Sequence, residues 1–241
     1  MTSIDTGERA KRSPAFTIGL TLIALLLFSG FCALGTWQIY RLAWKHDLIA
    51  RVDARIHAAP VPAPQGATKD DEYRRVTVSG TWLHDKAALT QATTIYGAGY
   101  WVMTPLRRQD GSIILINRGF VTPDAKTRYD RPAGNAHVTG LLRLSEPHGG
   151  FLRSNDPAAD RWHSRDVAAI ARSRGLGRAV PGYFIDAAAS PAKQRYPIGG
   201  LTVVHFPDNH LQYAITWFIL AAMTVGAYIL VMRQSGKDRP E

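Results

Sequence analysis

The stretch FTIGLTLIALLLFSGFCALGTWQI, residues 16–39, contains no Asp, Glu, Lys, Arg or His. About 20 apolar residues carry a helix across a hydrocarbon layer of roughly 30 Å, so this run of 24 reads as a transmembrane helix. A second run, LQYAITWFILAAMTVGAYILVM at residues 211–232, has no ionisable side chain other than Tyr213 and Tyr228. It opens with Tyr213 and Trp217, aromatic residues of the type that favour a membrane interface. The competing reading of the first run is a cleaved signal peptide, with Arg9, Lys11 and Arg12 as its basic region and Ala33-Leu34-Gly35 as a loose cleavage site. An apolar signal core usually spans ~7–15 residues, and this run is longer.

The basic flanks orient the two spans. Arg9, Lys11 and Arg12 precede the first, and Arg233, Lys237 and Arg239 follow the second, so both tails read as cytoplasmic under the positive-inside bias. The intervening segment exceeds the ~60 residues over which loop charge decides translocation, and its basic residues do not oppose this orientation. The sequence therefore divides into a cytoplasmic tail (1–15), a first span (16–39), a periplasmic domain (40–209), a second span (210–232) and a cytoplasmic tail (233–241). The expected address is a bacterial inner membrane.

Composition narrows the possibilities further. The chain has 241 residues, 46% hydrophobic and 20% charged, enough apolar material for one core and too little charge for a disordered chain. The single cysteine, Cys32, lies inside the first span, which excludes an intrachain disulfide, a cysteine zinc site and a C-x-x-C-H haem attachment. Residues 44–209 carry 22 Lys and Arg against 15 Asp and Glu. An excess of +7 suits anionic lipid or an acidic ligand, and a periplasmic position excludes nucleic acid.

Between the spans the pattern changes. Leu42, Leu48, Ile49, Val52 and Ile56 keep helical spacing, so the first helix is expected to continue to about Ala58 and to stop at a stiff linker, residues 60–64. Period-two alternation then predicts strands at 75–82, 88–95, 100–106, 112–117 and 137–144, with further strands at 183–187 and 201–206. Residues 164–174 read as a helix capped by Ser164. The predicted fold is an α+β membrane protein in which two transmembrane helices flank a mainly-β, antiparallel, barrel-like domain carrying one or two helices.

No phosphate loop or nucleophile signature is present; Gly97-Ala98-Gly99 reads as an isolated small-residue turn, and Asp70-Asp71-Glu72 as solvated surface. With no nucleophile, base and orienter in view, the chain is not expected to be an enzyme. Among eight histidines, His210 stands apart. It borders an uncharged span, where a polar ring is costly without a partner or ligand. On a helix His210, Tyr213, Ala214 and Trp217 would share one face. That face suits a flat macrocycle, with an interfacial aromatic belt as the alternative. A copper pair of His205 with His210 is disfavoured by Phe206-Pro207 between them.

Several motifs occur in order along the chain: Leu34-Gly35-Thr36-Trp37-Gln38 with Arg41, Trp44-Lys45 and Leu48-Ile49; Tyr73-Arg74-Arg75-Val76 with Gly80; Thr104-Pro105-Leu106; Ile116-Asn117-Arg118-Gly119-Phe120-Val121; Asn155-Asp156 with Trp162; and Asn209-His210-Leu211 with Tyr213 and Thr216-Trp217-Phe218. Together they resemble the Surfeit locus family of cytochrome oxidase assembly factors, from about Phe16 to Val231. Three positions depart from the family pattern. Phe120 stands where Trp is usual, Pro123 comes one residue late after Thr122, and Asp208 replaces a frequent Asn. An aromatic at 120 should preserve packing, whereas Asp208 is expected to act on the His210 imidazole.

The resemblance implies a helper in maturing haem-copper oxidases. In that reading His210 gives haem a an axial nitrogen, Tyr213 and Trp217 form the wall, and Arg41 or Arg118 meets the propionates. The implied partners are the oxidase catalytic subunit, haem a synthase and the lipid bilayer. The alternative is a membrane scaffold that steadies an oxidase subunit without haem.

Overall fold

A computed structural model describes residues 13–150, 153–177, 180–190, 196–202 and 208–236. The expected basic tail residues Arg9, Lys11, Arg12, Lys237 and Arg239, together with His205 and positions 203–206 of the last expected strand, lie outside the described residues. The chain forms two compact units, residues 1–49 with 206–241, and residues 50–205.

The first unit is a helix pair. Helix α1 runs Pro14–His57. Ser13 starts it, its Oγ accepting the Phe16 backbone N–H at 3.2 Å, and Pro14 occupies the first helical position, where a missing N–H costs nothing. The helix ends three residues before Pro60, with Arg55 and His57 in its last turn, where cations complement the helix dipole. The expected continuation to Ala58 is thus met within a residue. A second apolar helix runs His210–Gly236. Both are long and apolar enough to cross a membrane.

The two helices touch along their length in antiparallel order. Gln38 meets His210, the Phe31 and Trp217 rings stack at 5.9 Å, and the Thr21 and Tyr228 hydroxyls lie 2.9 Å apart. Gly35 allows the close approach. A Cβ there would fall 2.8 Å from the Phe218 ring, the small-residue packing that membrane helices use in place of a hydrophobic drive.

Among its described residues the second unit holds seven strands: β1 (Val61–Pro62), β2 (Arg75–Trp82), β3 (Ala88–Thr94), β4 (Gly97–Arg107), β5 (Ile113–Val121), β6 (Asn135–Leu144) and β7 (Tyr183–Ala187). Their order is β1-β2-β6-β7-β5-β4-β3, with β2 also pairing β4 through Thr81↔Arg107 and Trp82↔Leu106. The pairings therefore run β2-β6-β7-β5-β4 and return to β2. Gly80 permits that return, since a Cβ there would lie 2.3 Å from the Arg107 carbonyl oxygen.

All five strands of this cycle feed one core, which includes Val76, Leu106, Ile114, Leu142 and Ile185. Alternate residues of β5 and β7, namely Ile113, Leu115 and Phe184, point to a second core with Trp162 and Ile170. A strand buried on both faces reads as a continuous apolar run, which explains Ile113-Ile114-Leu115-Ile116 in β5.

Four expectations need correction. The sheet is mixed rather than antiparallel, because β1 pairs β2 and β5 pairs β7 in parallel. The proline-rich segment is no free linker. Val61–Pro62 forms β1, the Ala63 N–H donates to the Thr77 carbonyl at 2.8 Å, and the Tyr183 hydroxyl donates to the Pro64 carbonyl. Gly97-Ala98-Gly99 opens β4, and the turn falls at Ile95-Tyr96. The short helix, which becomes α2, is Val167–Ser173, capped by Asp166 through the Ala169 N–H rather than by Ser164. With α2 between the two apolar helices, the helix His210–Gly236 is α3.

Candidate functional site

The start of α3 is organised by hydrogen bonds. Asp208 Oδ1 accepts the backbone N–H of His210 at 3.1 Å, a carboxylate at the positive end of a helix. Asp208 Oδ2 lies 2.9 Å from Nε2 of His46 on α1. Burial raises the Asp208 carboxyl pKa, but the His210 backbone N–H and the His46 ring outweigh it and hold the group below its ordinary value. Asp208 was expected to raise the basicity of the His210 imidazole as its partner; its two oxygens go to the His210 backbone and to His46, so it acts on the ring through charge and not through a hydrogen bond.

The His210 ring has another partner. Its Nδ1 lies 2.8 Å from Gln38 Oε1, and Gln38 is only 9% exposed. An amide oxygen only accepts, so this contact pairs it with a protonated Nδ1, the arrangement that in a neutral ring leaves the lone pair on Nε2. Nε2 makes no hydrogen bond among the described residues. One turn on, Ala214 is 2% exposed. Trp217 stacks on Phe31, and its Nε1 is buried with no hydrogen-bond partner among the described residues. Tyr213 is 54% exposed, so it lies off the seam that His210, Ala214 and Trp217 share. Arg41 lays its guanidinium 4.1 Å from the Trp44 ring centroid.

Thr21 and Gln38 are 17 positions apart, or roughly 26 Å of helix at 1.5 Å per residue. The contacts between the two helices thus cover about one hydrocarbon thickness of roughly 30 Å. His210 and Gln38 sit at one end of that zone and Thr21 with Tyr228 at the other.

Arg118 belongs to β5 in the sheet unit. Its guanidinium lies 5.1 Å from the Trp82 ring centroid, and its Nη1 is buried without a hydrogen-bond partner among the described residues. Burial pulls its pKa down, Tyr129 and Asp130 oppose that, and the balance stays below the ordinary value.

A charged centre in the sheet unit went unread in the sequence. Asp186 on β7, 5% exposed, accepts from Asn117 at 2.8 Å, Thr202 at 2.9 Å and Arg165 at 3.1 Å, with Arg143 at 3.5 Å. Arg165 also donates to Glu146 at 2.5 Å and Arg143 to Glu72 at 3.3 Å. Burial raises the Glu146 pKa, yet its hydrogen bonds to Arg165 hold it below its ordinary value. Burial likewise lowers Arg165, and the carboxylates around it push it above its ordinary value. Each cation is matched, so this is a supporting network rather than an open anion site. A carboxylate inside the apolar strand YFIDA was the available signal.

Among the described residues no three His, Cys, Asp or Glu side chains gather as metal ligands. What the site offers is a single imidazole whose Nδ1 faces the Gln38 amide oxygen.

A model of the SURF1 family matches residues 25–222. The SURF1-like protein of Monosiga brevicollis is 32% identical, over 98% of this chain and 94% of its own length. Surfeit locus protein 1 of Homo sapiens is 35% identical, over 85% of this chain and 75% of its own. That of Gallus gallus is 36% identical, over 86% and 72%. These relatives are not bacterial, so the bacterial source expected from the sequence is not borne out by them.

Proposed function

Because the chain belongs to the SURF1 family, we propose that it is an assembly factor for haem-copper terminal oxidases, cytochrome c oxidase in particular. In this reading it holds haem a through His210 and aids its insertion into the catalytic subunit. The observation that carries the haem part is the His210 ring, with Nδ1 facing Gln38 and Nε2 without a hydrogen-bond partner among the described residues, at one end of an apolar helix pair.

The residues present fit such a group. Bound there, a haem would supply an iron that the His210 imidazole could ligate. The exposed Tyr213 ring would supply aromatic surface beside His210, while Trp217 is engaged with Phe31 in the seam; the lipid around the helices would keep water from the ligand. Arg41, one turn beyond Gln38 on α1, is the proposed propionate partner within the helix pair. The protein is read as a carrier without a reaction of its own. Its further partners are haem a synthase and the bilayer.

The two apolar helices support an inner-membrane address with both termini cytoplasmic and the sheet unit periplasmic. The cycle of strand pairings around one core supports a barrel-like description of that unit.

The test is optical. Full-length protein purified from cells that make haem a is expected to carry a haem spectrum, and His210→Ala to fold but lose it. His210→Met, which keeps a ligating atom, is expected to shift the spectrum instead. A His210→Ala protein with an unchanged spectrum and full haem content would overturn the haem assignment and favour the haem-free scaffold.

A further inference from the structure

We propose that Gln38 is a positioning residue for the carrier site: it fixes His210 in the Nδ1–H tautomer and leaves Nε2 as the coordinating nitrogen, so that the ring binds as a neutral imidazole. The inference rests on the reading of His210 as an iron ligand. It adds which nitrogen coordinates, which residue decides this, and what charge the ligand carries.

The first step is the hydrogen bond itself. Gln38 Oε1 lies 2.8 Å from His210 Nδ1. A polar amide 9% exposed on an otherwise apolar helix face costs free energy unless it is hydrogen-bonded, and the imidazole supplies that bond. Gln38 and His210 thus hold each other in place across the two helices.

The second step concerns charge. Histidine ligands commonly hand their second N–H to a carboxylate, which raises ligand basicity as well as setting orientation. A carboxylate is close by, in Asp208. Its Oδ1 is taken by the His210 backbone N–H and its Oδ2 by His46, while the ring nitrogen goes to a neutral amide. The group that orients the ring is therefore itself neutral. A neutral imidazole is a weaker donor than one leaning on a carboxylate, which suits a protein that must give its cargo up.

The tautomer can be read in the haem-free full-length protein by nitrogen NMR of 15N-imidazole histidine above pH 8, where an ordinary His is neutral at a pKa of about 6.5. His210→Ala identifies the signals. The expected result is a protonated Nδ1 and a bare Nε2 at His210. In Gln38→Leu and Gln38→Met the proton should move to Nε2 or be shared. Hemin titrated as the probe should then bind about 10–100-fold more weakly than to the parent, the usual effect of losing such a partner. Gln38→Glu, which keeps an acceptor, should restore the Nδ1–H signal.

A parent protein with its proton on Nε2 would overturn the proposal. So would Gln38→Leu and Gln38→Met proteins that keep both tautomer and hemin affinity. Failure of the carrier reading looks different: the Nδ1–H tautomer is present and Gln38-dependent, yet hemin binds equally to parent and His210→Ala. That outcome would support Gln38 as the residue that sets the tautomer and reject His210 as the iron ligand.

Discussion

Asp186 is a carboxylate held in the middle of a sheet by an amide, a hydroxyl and two guanidinium groups. Taking that charge away leaves Arg143 and Arg165 with only Glu72 and Glu146 as counter-ions. Breaking a buried pair by removing one partner costs about 3–5 kcal/mol, because the other charge stays buried. Asp186→Asn is expected near the lower end, since Arg165 keeps Glu146 and Arg143 keeps both Glu72 and Glu146, and thermal melting of the full-length protein in detergent reads it. A variant melting with the parent would show that the network carries no stability. Individual residues were unevenly legible. His210 stood out by its position beside an uncharged run. Gln38 did not, because a glutamine near a helix end has no signature until its partner is known. Asp208 misled for a related reason: adjacency in sequence to His210 brought it to the backbone N–H rather than to the ring.

Elements were more legible than residues, because burial imposes a period on sequence. The two apolar helices and most strand positions followed from runs and alternation alone. The short helix kept its place, but its cap shifted from Ser164 to Asp166, since any of several polar residues can accept the first-turn N–H. The proline segment was misread because its hydrogen bonds are made by the Ala63 N–H and the Pro64 carbonyl, groups that prolines do not remove. The contact between α1 and α3 was invisible from either helix alone. Gly35 carries it: a Cβ would meet the tip of the Phe218 ring at 2.8 Å. Overpacking of this kind costs about 1–3 kcal/mol. Gly35→Ala is expected to cost about 1 kcal/mol, since the ring tip can move, and the added change Phe218→Leu should recover most of it. A double-mutant cycle on melting in detergent measures the coupling. Additive effects would mean that the two residues do not meet.

The whole molecule sets the largest gap between sequence and structure, and also its acid response. The change from apolar runs to period two marks the helix pair and the sheet unit apart. Strand order was not legible, because β7 inserts between β5 and β6 from 39 positions beyond the end of β6, and no local pattern encodes a long-range pairing. That insertion is what brings Asp186 to Arg143 and Arg165. Burial alone would raise the Glu146 carboxyl, but the Arg165 hydrogen bonds and charge bring it below its ordinary 4.5. A group whose folded pKa is depressed favours the folded state fully above the unfolded value and loses that contribution as pH falls through the folded one. The melting temperature of the full-length protein is therefore expected to hold steady from pH 7 to about 5 and to fall below about 4.5. Asp71 and Asp156, held low by Thr68 and by Arg161 respectively, add to the same acid limb. Glu146→Gln removes one titrating group while Arg165 keeps Asp186. It should lower stability at neutral pH and make the decline below pH 4.5 shallower than in the parent. An acid limb of the same steepness in both proteins would mean that the Glu146–Arg165 pair is not a source of the acid response, and that the charges of this network hold the sheet together no more firmly than exposed ones do.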